Sequence, residues 1–276
     1  MVEMTAKVEP LMSLRLRKIA QLSSRYIREY LGSEIGQRDI LKDDWYEALK
    51  FFYGRSFYQG RRDELSERFY RKALQGLDGC LGKSPEEREI SLRKLEREGW
   101  LRSGKANDPN PLQGILKKYG VNKNGDRRMV ISSLNFISSL PDLNIVNHAL
   151  AMIKGGEVDQ AYEEIDGIYS VGDKVTSFFL RDLVTVFDLE PLIMEERYVY
   201  LQPVDIWVQR VGQQIGLIDR TSPPKQMKLA IIDRCLEHRV SPVAFNQGAW
   251  YLGAHSLELL LEILGDQSAS GGGQTK

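Results

Sequence analysis

The apolar residues of this chain recur at helical intervals and do not settle into the two-residue alternation of a half-buried strand. Between Leu11 and Leu31, the residues Leu14, Ile19, Leu22, Tyr26, Ile27 and Tyr30 fall near one helical stripe, with Arg and Lys between them. The best strand candidate, Arg197–Leu201 (RYVYL), is too short to anchor a sheet. No repeat of solenoid length stands out. The predicted fold class is therefore all-α.

Punctuation residues set the expected helix ends. Residues 1–10 read as a loose terminus, and Gly32 and Gly36 break the first helix. Asp43 or Asp44 caps a helix from Trp45 to Phe57, Gly60 ends it, and Asp63 caps the next, Glu64–Leu77. Ser84 and Pro85 open a surface helix to Glu98. Ser103–Pro111 is the strongest linker candidate. Helices follow at Leu112–Tyr119, at Arg127–Leu140 after an NKNGD turn, and at Asn144–Ile153. Later helices run over Ile206–Ile215, from the Ser222-Pro223-Pro224 start to His238 and from Pro242 to Tyr251. The expected organisation is an N-terminal helical region at 1–110, a lobe at 111–220, C-terminal helices at 221–264 packing back on the N-terminal region, and a disordered tail at 265–276.

The stretch Ile165–Val208 carries the chemistry. A helix over Asp159–Ile165 leads into a turn, Asp166–Asp173, with Gly167 and Gly172. Lys174 sits in the first turn of the following helix, which runs to Phe187. About thirty residues on, Pro203-Val204-Asp205 opens another helix. Backbone N–H groups of such a turn, with the positive end of the next helix, suit a phosphate and read shape rather than sequence. Taken singly, a Lys in a first turn is ordinarily a solvated residue, and an Asp after Pro-Val is ordinarily just a cap.

Together these residues carry a resemblance. Ile168–Val175 (IYSVGDKV), followed by Gln202–Val208 (QPVDIWV), resembles the helix-hairpin-helix/Gly-Pro-Asp superfamily of DNA glycosylases. The branch concerned has lyase activity, as in 8-oxoguanine glycosylases and endonuclease III. The match falls on Val171, Gly172, Lys174, Val175, Pro203, Val204 and Asp205. Where the family has Pro-Gly this chain has Tyr169-Ser170. The resemblance implies two helical lobes with a DNA-binding groove between them. It implies that Tyr169, Ser170, Val171 and Gly172 contact DNA. Lys174 would attack C1′ of the damaged nucleoside and form a Schiff base, and Asp205 would stabilise positive charge on the sugar. The chemistry is reasonable in its own right: a lysine must shed a proton to attack, which an apolar pocket favours, and a carboxylate faces an oxocarbenium-like sugar well.

Two further groups are candidates. The break Tyr58-Gln59-Gly60-Arg61-Arg62-Asp63 places Gln59, Arg61 and Arg62 at a helix end, where a loop could enter DNA or touch phosphate. The aromatics before it, Phe51, Phe52, Tyr53, Phe57 and Tyr58, read as a core stripe with solvated arginines such as Arg55. Gln247, Trp250 and Tyr251 could line a base pocket, with an aromatic face for stacking and an amide for the base edge. Trp250 and Tyr251 as core, with Gln247 at the surface, is the plainer alternative.

Composition limits the field. Lys+Arg and Asp+Glu number 38 each, so binding nucleic acid would need a local basic face. Cys80 and Cys235 lack CxxC partners and read as two reduced thiols, too few for a four-cysteine iron–sulfur cluster. His148, His238 and His255 form no metal-binding spacing. No metal and no cofactor are expected. No apolar run is long enough for a membrane, and Met1–Leu14 is too charged for a signal peptide. The expected protein is a cytoplasmic monomer whose partner is double-stranded DNA with a damaged base. Two alternatives stay open: a non-catalytic DNA-binding relative, and a fold adapted to free or RNA-borne nucleosides.

Overall fold

The structure is a computed structural model describing residues 2–58, 63–102, 110–256 and 259, with the side chains of 2–10 and 63 left out. Among these residues there are helices and no strands. None of the described helices is long and apolar enough to cross a membrane.

The chain divides into two compact units. One is Ser33–Leu201; the other joins Met1–Gly32 to Gln202–Lys276. The boundaries expected at 110/111 and 220/221 coincide with neither junction. Sequence punctuation marks loops, whereas unit membership depends on which distant helices share a core.

In the Ser33–Leu201 unit the helix Trp45–Ser56 is central. Asp44 caps it, accepting from the N–H groups of Tyr46 and Glu47. Its Phe51 and Phe52 meet Phe179 edge-on, with ring centroids 5.7 and 5.3 Å apart. It packs against Ile145–Lys154 and Asp173–Val186. Pro85–Arg97 starts with a complete capping box, Ser84 with Glu87. Asn144 caps Ile145–Lys154 and also donates to the carbonyls of Leu41 and Lys42, tying a helix start to a segment far away in sequence.

In the other unit, Leu16 and Ile19 of Val2–Gln21 pack with Val208 and Val211 of Ile206–Gln214, with Ile231 and Cys235 of Pro224–Glu237, and with Phe245 and Ala249 of Pro242–Ala254. Gly248 lets two helices nearly touch, since a Cβ there would lie 1.9 Å from the carbonyl oxygen of Ile19.

Arg197–Leu201, the segment with the most strand-like alternation, lies in a 3-10 helix, Glu195–Leu201, in keeping with the all-α expectation. Three local expectations need correction. The first helix begins at Val2, not after Pro10, since Met4–Lys7 contains good helix formers. Gly32 does not break the chain's helical course: a π-helical turn, Ile27–Leu31, runs into Gly32–Gly36. Arg55 is not solvated but 5 % exposed.

Candidate functional site

Val158–Asp166 and Asp173–Val186 are joined by a turn over 167–172. Val158, Ala161 and Ile165 are buried on the first helix; Val175, Phe179 and Leu183 are buried on the second. Ile168 and Val171 pin the turn inward, and the Val171 N–H donates to the Ile168 carbonyl at 2.9 Å. Ser170 has φ 61°, in the left-handed region. Glycine would take that conformation freely, whereas Ser bears about 1–2 kcal/mol for it. The backbone thus keeps a glycine-like bend at a serine.

Tyr169 is fixed from a second helix. Its N–H donates to Ser132 Oγ at 3.0 Å, and its hydroxyl accepts from Arg128 Nη1 at 2.7 Å. The Arg128 guanidinium lies 3.7 Å from the ring centroid. Both residues belong to Asn124–Ser138, whose start also leans on the turn: a Cβ on Gly125 would sit 3.6 Å from Ser170 Oγ. Neither Lys123 nor Gly172, the cap positions of the two helices, makes a side-chain cap bond. Arg127 is tied down separately by the carbonyls of Val121 and Asn122. Sequence reasoning marked Arg127-Arg128 only as a helix start and missed Ser132. Arg128 and Ser132 share a helix face, but their partner lies 41 and 37 residues away, which no local pattern reveals.

Asp173 accepts from the Tyr162 hydroxyl at 2.6 Å. Burial, and then this bond to a carboxylate, push the Tyr162 phenol well above its ordinary range. Lys174 is half-buried, and its Nζ donates to the Tyr58 carbonyl at 3.3 Å. That carbonyl lies just past the end of Trp45–Ser56, at the negative end of a helix. The Tyr58 side chain is anchored in turn, its hydroxyl donating to Glu67 Oε2 at 3.1 Å. Gln59, Arg61 and Arg62 lie outside the described residues.

Asp205 belongs to the other unit and is half-buried. Its Oδ1 accepts from the N–H groups of Trp207 at 2.9 Å and Val208 at 3.0 Å, capping Ile206–Gln214. Among the described residues its Oδ2 takes no bond. Lys174 and Asp205 are thus each fixed within their own unit.

The three pocket candidates lie on Pro242–Ala254. Gln247 is buried at 1 % exposure rather than on the surface. Tyr251 is buried, donates to Glu29 Oε1 at 2.9 Å and stacks on His255 at 4.5 Å. Trp250 is half-buried and meets Tyr26 and Tyr30 edge-on at 5.6 and 5.1 Å. Tyr30 in turn hydrogen-bonds His255 at 2.7 Å. Beside them Asn246, fully buried, donates to Gln202 Oε1 and to the Pro203 carbonyl, both at 3.1 Å. This links the helix directly to the residues that lead into Asp205.

A buried ionic network also escaped sequence reasoning. Asp182, with no exposed surface, takes Arg55 Nε on one oxygen at 3.1 Å and Arg181 Nη2 on the other at 2.8 Å. Arg55 reaches Glu34 as well, at 3.4 Å, and stacks 3.8 Å from the Phe51 ring centroid. Among the described residues no group of three His, Cys, Asp or Glu side chains is placed to hold a metal ion. The chain matches no family model, no curated protein and no solved structure.

Proposed function

We propose that the protein is a DNA-repair glycosylase with associated β-lyase activity, excising a damaged base from double-stranded DNA. An oxidised base is the first candidate. The reading takes 158–186 as a helix-hairpin-helix that binds phosphate.

The observation that carries it is Lys174. It is a half-buried amine in the first turn of a helix, behind a glycine-like bend, with a single main-chain carbonyl as its acceptor among the described residues. A surface lysine would ordinarily be free to move. Here the amine is oriented, as a nucleophile must be. Asp205 supports the same reading, since one oxygen serves the helix cap and the other, which takes no bond among the described residues, can face a developing positive charge.

In the proposed reaction Nζ bonds to C1′ as the C1′–N glycosidic bond breaks and the base leaves with a proton. Loss of the amine proton and opening of the sugar ring give a C=N Schiff base. Removal of a C2′ proton then expels the 3′ phosphate. Borohydride reduces the C=N bond and leaves protein covalently attached to DNA. The test is such trapping on duplexes carrying 8-oxoguanine, uracil, thymine glycol, alkylated purines or an abasic site. Trapping that disappears in Lys174→Gln is expected. The absence of trapping on every duplex would reject the lyase reading.

A second reading, a non-catalytic DNA-binding protein of the same fold, is favoured by Tyr169. Its ring and hydroxyl are engaged by Arg128 at a place where the resembled family presents Pro-Gly to phosphate. Salt-dependent duplex binding without base release would select it.

A further inference from the structure

We propose that the buried Arg55–Asp182–Arg181 network is the positioning device for Lys174, a role that rests on the Schiff-base reading above. The network is an unusual way to join two helices. Arg55, Arg181 and Asp182 are 5 %, 1 % and 0 % exposed, and Glu34 adds a second carboxylate to Arg55. Buried ion pairs commonly stabilise no better than apolar side chains of the same shape, and their best-attested use is to fix one register.

Trp45–Ser56 meets Asp173–Val186 through the ring edges of Phe51, Phe52 and Phe179, contacts that carry no directional bond. The Arg55 to Asp182 bond, at 3.1 Å, admits one alignment. Arg55 also donates to the Phe51 carbonyl at 3.1 Å, so its fork is held from both sides.

The consequence appears at the site. Tyr58 lies three residues beyond Arg55, and its N–H donates to the Arg55 carbonyl at 3.3 Å. Its own carbonyl is the acceptor for Lys174 Nζ. On the other helix Lys174, Phe178 and Arg181 follow one face at i, i+4 and i+7, and the Arg181 guanidinium lies 4.8 Å from the Phe178 ring centroid. Both ends of the Lys174–Tyr58 contact are therefore carried by helices that the ionic network locks together. A neutral amine has two N–H bonds and one lone pair. Holding one N–H on a fixed carbonyl decides where the lone pair points, and small misplacements of a reacting group carry large rate penalties. Arg55, Arg181 and Asp182 would act only through Lys174, as positioning residues.

The test compares wild type, Asp182→Asn and Arg55→Lys, using full-length protein with lysines ¹³C-labelled at Cε and the Lys174 resonance assigned with Lys174→Gln. The expected result is a displaced Lys174 resonance in both variants, with the other lysine signals in place. On a duplex that wild type attacks, single-turnover borohydride trapping should slow by about 10- to 100-fold while duplex affinity is unchanged. If Asp182→Asn does not fold, Arg55→Lys, which keeps the charge, carries the comparison. A Lys174 resonance identical to wild type in a folded variant overturns the proposal. If wild type traps on no duplex, the Schiff-base reading fails separately, and the resonance alone still decides whether the network sets the amine's environment.

Discussion

Alanine at Gly248 should reverse the usual sign of a helix substitution. Replacing an interior helical glycine by alanine ordinarily stabilises by about 1 kcal/mol. Gly54 offers that ordinary case, with nothing within 4 Å of an added Cβ. At Gly248 the added Cβ would lie 1.9 Å from the Ile19 oxygen and 2.8 Å from its carbonyl carbon, against ordinary contact from 3.4 Å. Both obstacles are backbone, so no rotamer change relieves them, and Val2–Gln21 and Pro242–Ala254 must separate by more than an ångström. Overpacking of this kind costs roughly 1–3 kcal/mol and occasionally more. A backbone obstacle belongs at the top of that range, so the net loss should be about 2–3 kcal/mol after the propensity gain. At 2–4 °C per kcal/mol for a protein of this size, Tm should fall by roughly 4–12 °C. Gly54→Ala should hold or raise Tm by a few degrees. Differential scanning calorimetry with urea unfolding as a check would measure both. Because Pro242–Ala254 carries Gln247, Trp250 and Tyr251, near-ultraviolet circular dichroism should change in Gly248→Ala and not in Gly54→Ala. A Gly248→Ala protein as stable as wild type would refute the close approach of these helices.

Further consequences are equally direct. Ser170→Gly should stabilise by up to about 1 kcal/mol by removing left-handed strain, while Ser170→Val should destabilise by about 1–2 kcal/mol; equal midpoints in urea would deny the positive φ. Ser84→Ala should lose about 1 kcal/mol through the capping box. Glu87, held below its ordinary value of 4.5 by the N–H groups of Lys83 and Ser84, contributes stability that is present above that value and lost as pH falls beneath it. The thermal unfolding midpoint should therefore decline on the acid side less in Glu87→Gln than in wild type, the remaining decline coming from other lowered carboxylates such as Asp39 and Asp159. Burial pushes the Cys235 thiol from 9.0 up to about 12, so it should resist alkylation at pH 8 in the native state and react once unfolded. Its contribution to stability is complete below pH 9.0 and is lost as pH rises toward 12.

Much of the fold could be read in the sequence because helix ends announce themselves chemically. Asp44, Ser84 and Asp205 cap where a short polar side chain precedes an apolar stripe, and Pro85, Pro224 and Pro242 stand at the first helical position. The turn before Lys174 was legible for the same reason. What stayed hidden was tertiary. Arg55 looked solvated because nothing near it in sequence signals Asp182, 127 residues away. Arg128 looked like an ordinary helix-start cation because Tyr169 is its partner only in the folded chain. Gln247 could be read as a pocket amide or as a surface residue, and neither reading showed that it lies buried beside Asn246. Arg197–Leu201 could be set aside as a strand from its shortness alone, and it lies in a 3-10 helix. The candidate site was thus visible as two helix starts, while the groups that hold its lysine were not.

The most direct test of the central claim is borohydride trapping of wild-type protein, Lys174→Gln and Asp205→Asn on one panel of damaged duplexes. The account predicts a covalent protein–DNA adduct for wild type on at least one lesion, none for Lys174→Gln, and a strongly slowed adduct for Asp205→Asn. An adduct of equal yield in wild type and Lys174→Gln would show that another amine reacts and would contradict it.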